Sequence, residues 1–201
     1  MAEPPESVRR RTAALAGHTG DPGAARRARA DPAPRVRIAA LRSLARLGGL
    51  DDRSLADALA DPAPMVRIAA LELAAGRSAP PVLHLLGDAD PTVAEAAAWA
   101  LGEHPDPDPT SVSRLAGAAT DHPDPLVREA AVAALGAIGD EGGKAAVLAA
   151  TRDKPAVRRR AVVALAAFDG PDVDDALDRA RRDRDRQVRD AVDELLGPAE
   201  P

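Results

Sequence analysis

The chain has 201 residues, a net charge of −5 and a hydrophobic fraction of 45%, and alanine dominates its apolar residues. It contains no cysteine, which excludes disulfides, thiolate metal sites and cysteine nucleophiles. No uncharged apolar run of about 18 residues is present and the N-terminus has no hydrophobic signal segment. We therefore expect a soluble, cytoplasmic protein without membrane contact. Trp99 and Phe168 are the only aromatic residues, so any core must be built from small side chains.

The sequence repeats itself at intervals of about 30 residues, which is the mark of a repeat array. The segment DPAPRVRIAALRSL from Asp31 returns as DPAPMVRIAALELA from Asp61. Weaker copies begin at Asp90, Asp124, Asp153 and Asp185, and a degenerate first copy begins at Ser7. Each copy has an anchoring valine: Val8, Val36, Val66, Val93, Val127, Val157 and Val188. The spacing predicts six to seven repeats.

Each repeat is predicted to contain two helices. Between the anchored segments run further helical stretches, which begin at Asp21, Asp52, Ala79, Ser111, Gly142 and Val173. Aspartates that precede proline are expected to cap the second helices, with proline at the first helical position: Asp31, Asp61, Asp90 and Asp124. Glycines that follow the valines are expected to end those helices: Gly48, Gly76, Gly102, Gly139, Gly170 and Gly197.

The motif D-P-x-x-x-V-R-x-A-A-L-x-x-L resembles short HEAT repeats of the phycobilisome-lyase-like kind, and the resemblance covers nearly the whole chain. It implies an all-α, right-handed α-solenoid, an armadillo- or HEAT-like superhelix of six to seven helical hairpins. Residues 1–201 would form a single solenoid. Its second helices would begin near residues 8, 36, 66, 93, 127, 157 and 188 and would line the concave surface.

A helical wheel with the valine at position zero separates core from surface. Val36, Ala40, Leu41 and Leu44 fall on the core side, and burial of Leu41, Leu71, Leu135 and Leu165 would confirm the register. Position one carries an arginine in most copies: Arg9, Arg37, Arg67, Arg128, Arg158 and Arg189. With aspartates that include Asp31, Asp61 and Asp124, these arginines are predicted to form a structural ladder between repeats. The alternative is a row of anion-binding arginines.

Positions two and six point away from the core and vary between repeats. Ile38, Ile68 and Trp99 are predicted to form an apolar strip, with Arg42 and Glu72 beside it, where a partner would bind. The alternative for Trp99 is that it fills a void among alanines. The third copy also departs from the motif, because Ala94 replaces the arginine.

The sequence lacks the motifs of known catalytic and metal sites. HEAT-like deoxyhypusine hydroxylase binds a di-iron centre through His–Glu dipeptides, and this chain has none. Its histidines are His18, His84, His104 and His122, and no two have the spacing of metal ligands on one helix face. Phosphate-binding glycine loops and nucleophile elbows are missing as well. We expect no catalytic residue, no metal and no cofactor.

The sequence favours a non-enzymatic, monomeric scaffold that binds a protein partner on its concave face. The resemblance offers an alternative, an accessory subunit or chaperone of a phycobilin-lyase-like system. Nucleic-acid binding would use the N-terminal arginines Arg9, Arg10, Arg11, Arg26, Arg27 and Arg29. It is disfavoured because residues 51–150 carry a net charge of −10 and no aromatic side chains are interleaved with the arginines.

Overall fold

A computed structural model describes residues 3–77, 82–104 and 106–197 of the chain, and these residues are helical with no strand. Its α-helices are α1 (Glu6–Thr19), α2 (Pro22–Ala28), α3 (Pro34–Arg46), α4 (Asp52–Leu59), α5 (Pro64–Ala74), α6 (Pro91–Gly102), α7 (Pro109–Asp121), α8 (Pro125–Ile138), α9 (Glu141–Ala150), α10 (Pro155–Ala164), α11 (Pro171–Ala180) and α12 (Arg186–Leu196). Short 3-10 turns occupy Leu83–Gly87 and Leu165–Ala167. The helix predicted from Ala79 begins outside the described residues, and its described part is the first of these turns.

The chain divides into two compact units, Met1–Pro81 and Val82–Pro201. In the first unit, α3 packs between α1 and α5, while α2 packs against α1 and α3, and α4 packs against α5. In the second unit, α6, α8, α10 and α12 pack side by side in that order, and α7, α9 and α11 cover them. The side-by-side helices are the second helices of the predicted repeats. That the whole chain forms one continuous solenoid stays a prediction.

Burial of the motif leucines confirms the predicted register of the repeats. The side chains of Leu41, Leu71, Leu135 and Leu165 are at most 2% exposed. Removing each from water contributes roughly 1.5–3 kcal/mol to folding. The anchoring valines from Val36 onward are buried beside them, whereas Val8 on the terminal helix is 50% exposed.

The start of α3 and α5 differs from the sequence prediction. Both helices begin at the second proline of the motif, Pro34 and Pro64, so Asp31 and Asp61 stand two residues before the N-cap positions. Their carboxylates instead accept hydrogen bonds from the backbone N–H two residues later, at 2.8 and 2.9 Å. The motif offers two prolines, and only the second stands at the first helical position, where the N–H that proline lacks would have had no acceptor within the helix.

One predicted C-cap glycine has a different role. Gly102 is the last residue of α6 and does not adopt the positive φ of a left-handed cap. A Cβ at this position would lie 2.9 Å from the Cα of Ala134 on α8. The same close approach recurs between Gly17 and Ser43, and between Gly136 and Ala164. Glycine therefore allows neighbouring second helices to pack at short distance.

Gly170 also differs from the prediction that it ends a second helix, because it is the N-cap of α11.

Candidate functional site

Arginines at motif position one form bidentate ion pairs with aspartates of the next repeat. Arg37 donates from Nε and Nη2 to the Asp61 carboxylate at 2.8 and 2.7 Å, and from Nη1 to the Asp31 carbonyl at 2.8 Å. One guanidinium thus joins two successive repeats. Pairs of this kind include Arg9–Asp31, Arg37–Asp61, Arg128–Asp153 and Arg158–Asp183. We call them the ladder.

The ladder pairs are partly shielded from water, and the hydrogen bonds within each pair shift the pKa values of both partners against the effect of burial. The hydrogen bond from Arg158 lowers the pKa of Asp183 below its usual value and raises the pKa of Arg158. At Asp61, burial alone would raise the pKa of the carboxyl group. Hydrogen bonds from Arg37 and from the backbone N–H of Ala63 outweigh this effect, so the pKa of Asp61 is lowered. These aspartates are therefore charged at neutral pH, and the donors of their arginines already have partners.

Arg67 and Arg189, at the same motif position, also make the carbonyl contact. Arg67 donates Nη1 to the Asp61 carbonyl at 2.8 Å, and Arg189 donates Nη1 to the Asp183 carbonyl at 2.6 Å. Within the described residues, each arginine that occupies this position is therefore used to hold the turn that precedes its own helix. The ladder geometry favours the structural role over a row of anion-binding arginines.

Asp124, which the sequence assigned to the ladder, does not occupy a ladder position. Its carboxylate accepts the N–H of Leu126 at 2.9 Å and caps α8. The ladder position in this repeat belongs to His122, whose Nδ1 accepts the Asp124 N–H at 3.1 Å. The preceding second helix carries Ala94 in place of the arginine. Both charges of this rung are replaced together, so neither is left without its partner.

A groove of about 730 Å³ opens between α1 and α3 in the first unit. Its wall and floor are formed by Ser7, Arg10, Arg11, Ala14, His18, Arg35, Ile38, Ala39, Arg42, Ser43 and Arg46. None of these residues is acidic. Ile38 and Arg42 were predicted from the sequence to lie on this surface, whereas Arg35 and Arg46 were not. The pattern that could have revealed them is helical periodicity: counted from the valine, positions −1, +2, +3, +6 and +10 of a second helix lie on one face.

Beside the groove, α5 continues the same face within the first unit. Ile68 is partly buried, as is Ile38. Arg42 forms an exposed ion pair with Glu72 across α3 and α5, with 3.0 Å between the guanidinium and the carboxylate. Of the predicted partner-binding residues, the structure therefore brings Arg42 and Glu72 together.

Trp99 lies on α6 in the second unit and is 45% exposed. Val163, at the same motif position on α10, is 46% exposed, and Ala133 on the intervening α8 is partly buried. The exposed fraction of Trp99 shows that its ring is not enclosed among the alanines of α6. Ile38 and Ile68 belong to the first unit, so one strip joining them to Trp99 stays a prediction.

The described residues contain no group of three or more histidine, aspartate or glutamate side chains arranged to bind a metal ion. His18 lines the groove, His122 occupies a ladder position, and Nδ1 of His104 accepts the N–H of Asp106 at 3.2 Å. No helix in the described ranges has the length and apolar character needed to cross a bilayer.

Two solved structures show the same kind of fold. Human deoxyhypusine hydroxylase in complex with glycerol is similar with a TM-score of 0.52 and 21% identity, over 94% of this chain and 78% of that one. A designed armadillo repeat protein in complex with the peptide (KR)4 is similar with a TM-score of 0.55 and 16% identity, over 94% of this chain and 97% of that one. At these identities, the likeness concerns the fold alone.

Comparison with curated proteins gives no significant sequence match. The sequence profile of HEAT repeats matches residues 53–135, 79–155 and 119–197, which together span most of the chain. The phycobilisome-lyase-like subtype of the repeat stays a prediction. The profile matches and the α-solenoid fold establish that the chain belongs to the HEAT-repeat family.

Proposed function

We propose that the chain is a non-enzymatic scaffold that binds a protein partner on the outward face of its second helices. HEAT and armadillo folds are typical of protein-interaction scaffolds. The observation that carries the proposal is the exposure of Trp99, the largest side chain of the protein, on the outward face of α6. Tryptophan is enriched among the residues that dominate binding energy at interfaces.

The packing of the second unit supports an apolar row that includes Trp99. Close approaches of Gly102 to Ala134, and of Gly136 to Ala164, fix α6, α8 and α10 in equivalent registers. Position six of these helices therefore follows across the layer as Trp99, Ala133 and Val163, which we call the apolar row. A row of exposed apolar side chains on successive repeats suits an extended segment of a partner.

Charged residues flank the apolar row. Glu129 on α8 lies 3.5 Å from Arg159 and 3.7 Å from Arg160 of α10, and these side chains are partly exposed. An apolar centre with a charged rim is the usual arrangement of a transient protein interface. The designed armadillo protein solved with (KR)4 binds its peptide on a similar fold. We extend only the principle of peptide binding to this chain, because its sequence is too different to share the ligand.

Affinity capture from extract of the native cell tests the proposal. Wild type is compared with Trp99→Ala and with Leu196→Ala, a control that truncates another exposed apolar side chain at the end of α12. Circular dichroism establishes that all three are folded. We expect a defined protein that is captured by wild type and Leu196→Ala but lost with Trp99→Ala.

The opposite results of this capture are equally clear. If the same proteins come down with Trp99→Ala, the apolar row is not the binding surface. Recovery of a coloured tetrapyrrole, or of nucleic acid, in place of a protein would favour the chromophore-handling or nucleic-acid alternative over the scaffold.

A further inference from the structure

The arginines of the first unit fall into two groups with different partners. The ladder arginines Arg9 and Arg37 are bound to Asp31 and Asp61. By contrast, the groove arginines Arg10, Arg11, Arg35 and Arg46 make no hydrogen bond or ion pair with any described residue. They are exposed and none of them belongs to the repeated motif. Packing of the repeats therefore does not account for them.

These arginines surround an apolar floor. The groove between α1 and α3 includes Ala14, Ile38 and Ala39, and Ile38 and Ala39 are only partly exposed. The bottom of the groove is closed by Ser43, whose Oγ donates to the Ala13 carbonyl at 2.7 Å. This hydrogen bond joins α1 to α3, so the arginines on these two neighbouring helices are held at a fixed separation. The groove is thus preformed, with positive walls and an apolar base.

We propose that this groove binds an acidic segment of a partner polypeptide. The inference rests on the proposed scaffold function and names the chemistry of its ligand. Glutamate or aspartate carboxylates of the segment pair with Arg10 and Arg35 on opposite walls, and an apolar side chain of the segment packs on Ile38. Guanidinium groups bind carboxylates through two parallel hydrogen bonds, which suits this arrangement.

The size and charge of the groove fit a short peptide segment. Its volume of about 730 Å³ lies within the range of roughly 300–1,000 Å³ found for ligand clefts. Residues 1–50 contain ten arginines against four acidic residues, so the surrounding sequence also attracts an anion. Glu72, on the helix beside the groove, is paired with the groove residue Arg42.

A peptide fits these observations better than a nucleic acid. Binding of single strands relies on aromatic side chains that stack on bases, and residues 1–98 contain no aromatic residue. The apolar floor has no function against a phosphate backbone, whereas it accepts a leucine or valine side chain. A polypeptide that alternates acidic and apolar residues meets both parts of the groove.

The test uses the full chain and a dye-labelled peptide that alternates glutamate and leucine, with binding followed by fluorescence anisotropy. The matched probe alternates glutamine and leucine, and oligothymidine of similar length is the nucleic-acid probe. The double variant Arg10→Glu/Arg35→Glu reverses the two walls. Arg53→Glu on α4 is the control, because it reverses an exposed arginine of the same unit that does not line the groove.

We expect the glutamate peptide to bind, and the double variant to weaken it by about tenfold or more, since each exposed pair is lost and replaced by repulsion. Arg53→Glu should leave the affinity within about twofold. A second double variant, Arg11→Glu/Arg46→Glu, should weaken binding as well, and it keeps the test decisive if the first variant does not fold.

Three results would overturn the inference: no binding of the glutamate peptide, equal loss with Arg53→Glu, or equal binding of the glutamine peptide. Tight binding of oligothymidine with a steep salt dependence would assign the groove to nucleic acid instead. These failures leave the scaffold function standing if a client is still lost with Trp99→Ala, because that variant alters the other unit.

Discussion

Replacing Arg158 with methionine removes the most deeply buried arginine of the described ladder pairs. Its guanidinium lies 2.7 and 2.8 Å from the two Asp183 carboxylate oxygens, and only 8% of its side chain is exposed. It also donates to the Asp153 carbonyl at 2.8 Å. Methionine retains most of the apolar length but leaves the carboxylate and the carbonyl without this donor.

The expected loss of stability lies between the values for a fully buried and a fully exposed ion pair, because the Arg158–Asp183 pair is only partly shielded from water. Breaking a fully buried ion pair costs about 3–5 kcal/mol, whereas an exposed pair contributes about 0–1 kcal/mol. The Asp183 side chain is 15% exposed, so water can partly solvate the abandoned carboxylate. We therefore expect Arg158→Met to lower the free energy of unfolding by about 2–3 kcal/mol.

Urea unfolding at neutral pH, followed by circular dichroism, measures this loss. The control is Arg186→Met, which removes an ion pair with Asp190 in the same unit, where the arginine side chain is 83% exposed. It should cost less than about 0.5 kcal/mol. Asp183→Asn and the double variant complete a mutant cycle, with an expected coupling of about 1.5–2.5 kcal/mol. Equal losses for Arg158→Met and Arg186→Met, or a coupling near zero, would refute the structural role of the ladder.

Two further predictions concern the ladder and the helix contacts. The ladder arginines lower the pKa of their aspartates, so the stabilisation is present above the ordinary aspartate pKa of about 3.9 and is lost as pH falls below it. The thermal midpoint should therefore fall steeply below about pH 4 and less steeply in Arg158→Met; a parallel decline would contradict this. Gly136→Ala should destabilise the chain by about 1–3 kcal/mol, because its Cβ would lie 2.6 Å from that of Ala164. Gly117→Ala, which meets no atom within 4 Å, should stabilise α7 by up to about 1 kcal/mol, and equal effects of the two would disprove the tight crossing.

The repeat register could be predicted because it depends on local periodicity alone. The valine anchor is present in all seven copies and a leucine eight residues later in five of them, so the alignment of the clear copies fixes the register of the weaker ones. Leu135 and Leu165 are accordingly buried as expected. The first residues of the helices were harder to predict from the sequence. Asp31 and Asp90 both precede a proline, but Asp31 lies five residues before its valine and Asp90 lies three residues before its valine. That difference of two residues separates a ladder acid from a helix cap.

The groove was missed because alignment of repeats emphasises what the copies share. Arg35 and Arg46 occur at positions that hold methionine and glycine in the next copy, so they belong to no repeated column. A face is built from several positions of two neighbouring helices, and their proximity depends on packing. Gly102 shows the same limit, since a glycine near a helix end can either adopt a left-handed cap or admit a neighbouring helix.

The exposure of Trp99 was also beyond the sequence. A helical wheel gives the direction of a side chain but not which neighbouring residues pack over it. An irregular segment such as Leu83–Gly87 can change which residues shield that side chain from solvent. In the structure, Trp99 is about as exposed as Val163, which occupies the same position four helices later. The apolar row thus became visible only when α6, α8 and α10 were placed side by side.

Photocrosslinking in native extract tests the scaffold function most directly. A photoreactive phenylalanine analogue is placed at Val163 on the apolar row or, as the control, at Ala149, which is exposed on α9 in the covering helices of the same unit. We predict a discrete crosslinked protein from position 163 and none from position 149. Crosslinks from position 149 alone, or the same products from both positions, would contradict partner binding on the second helices.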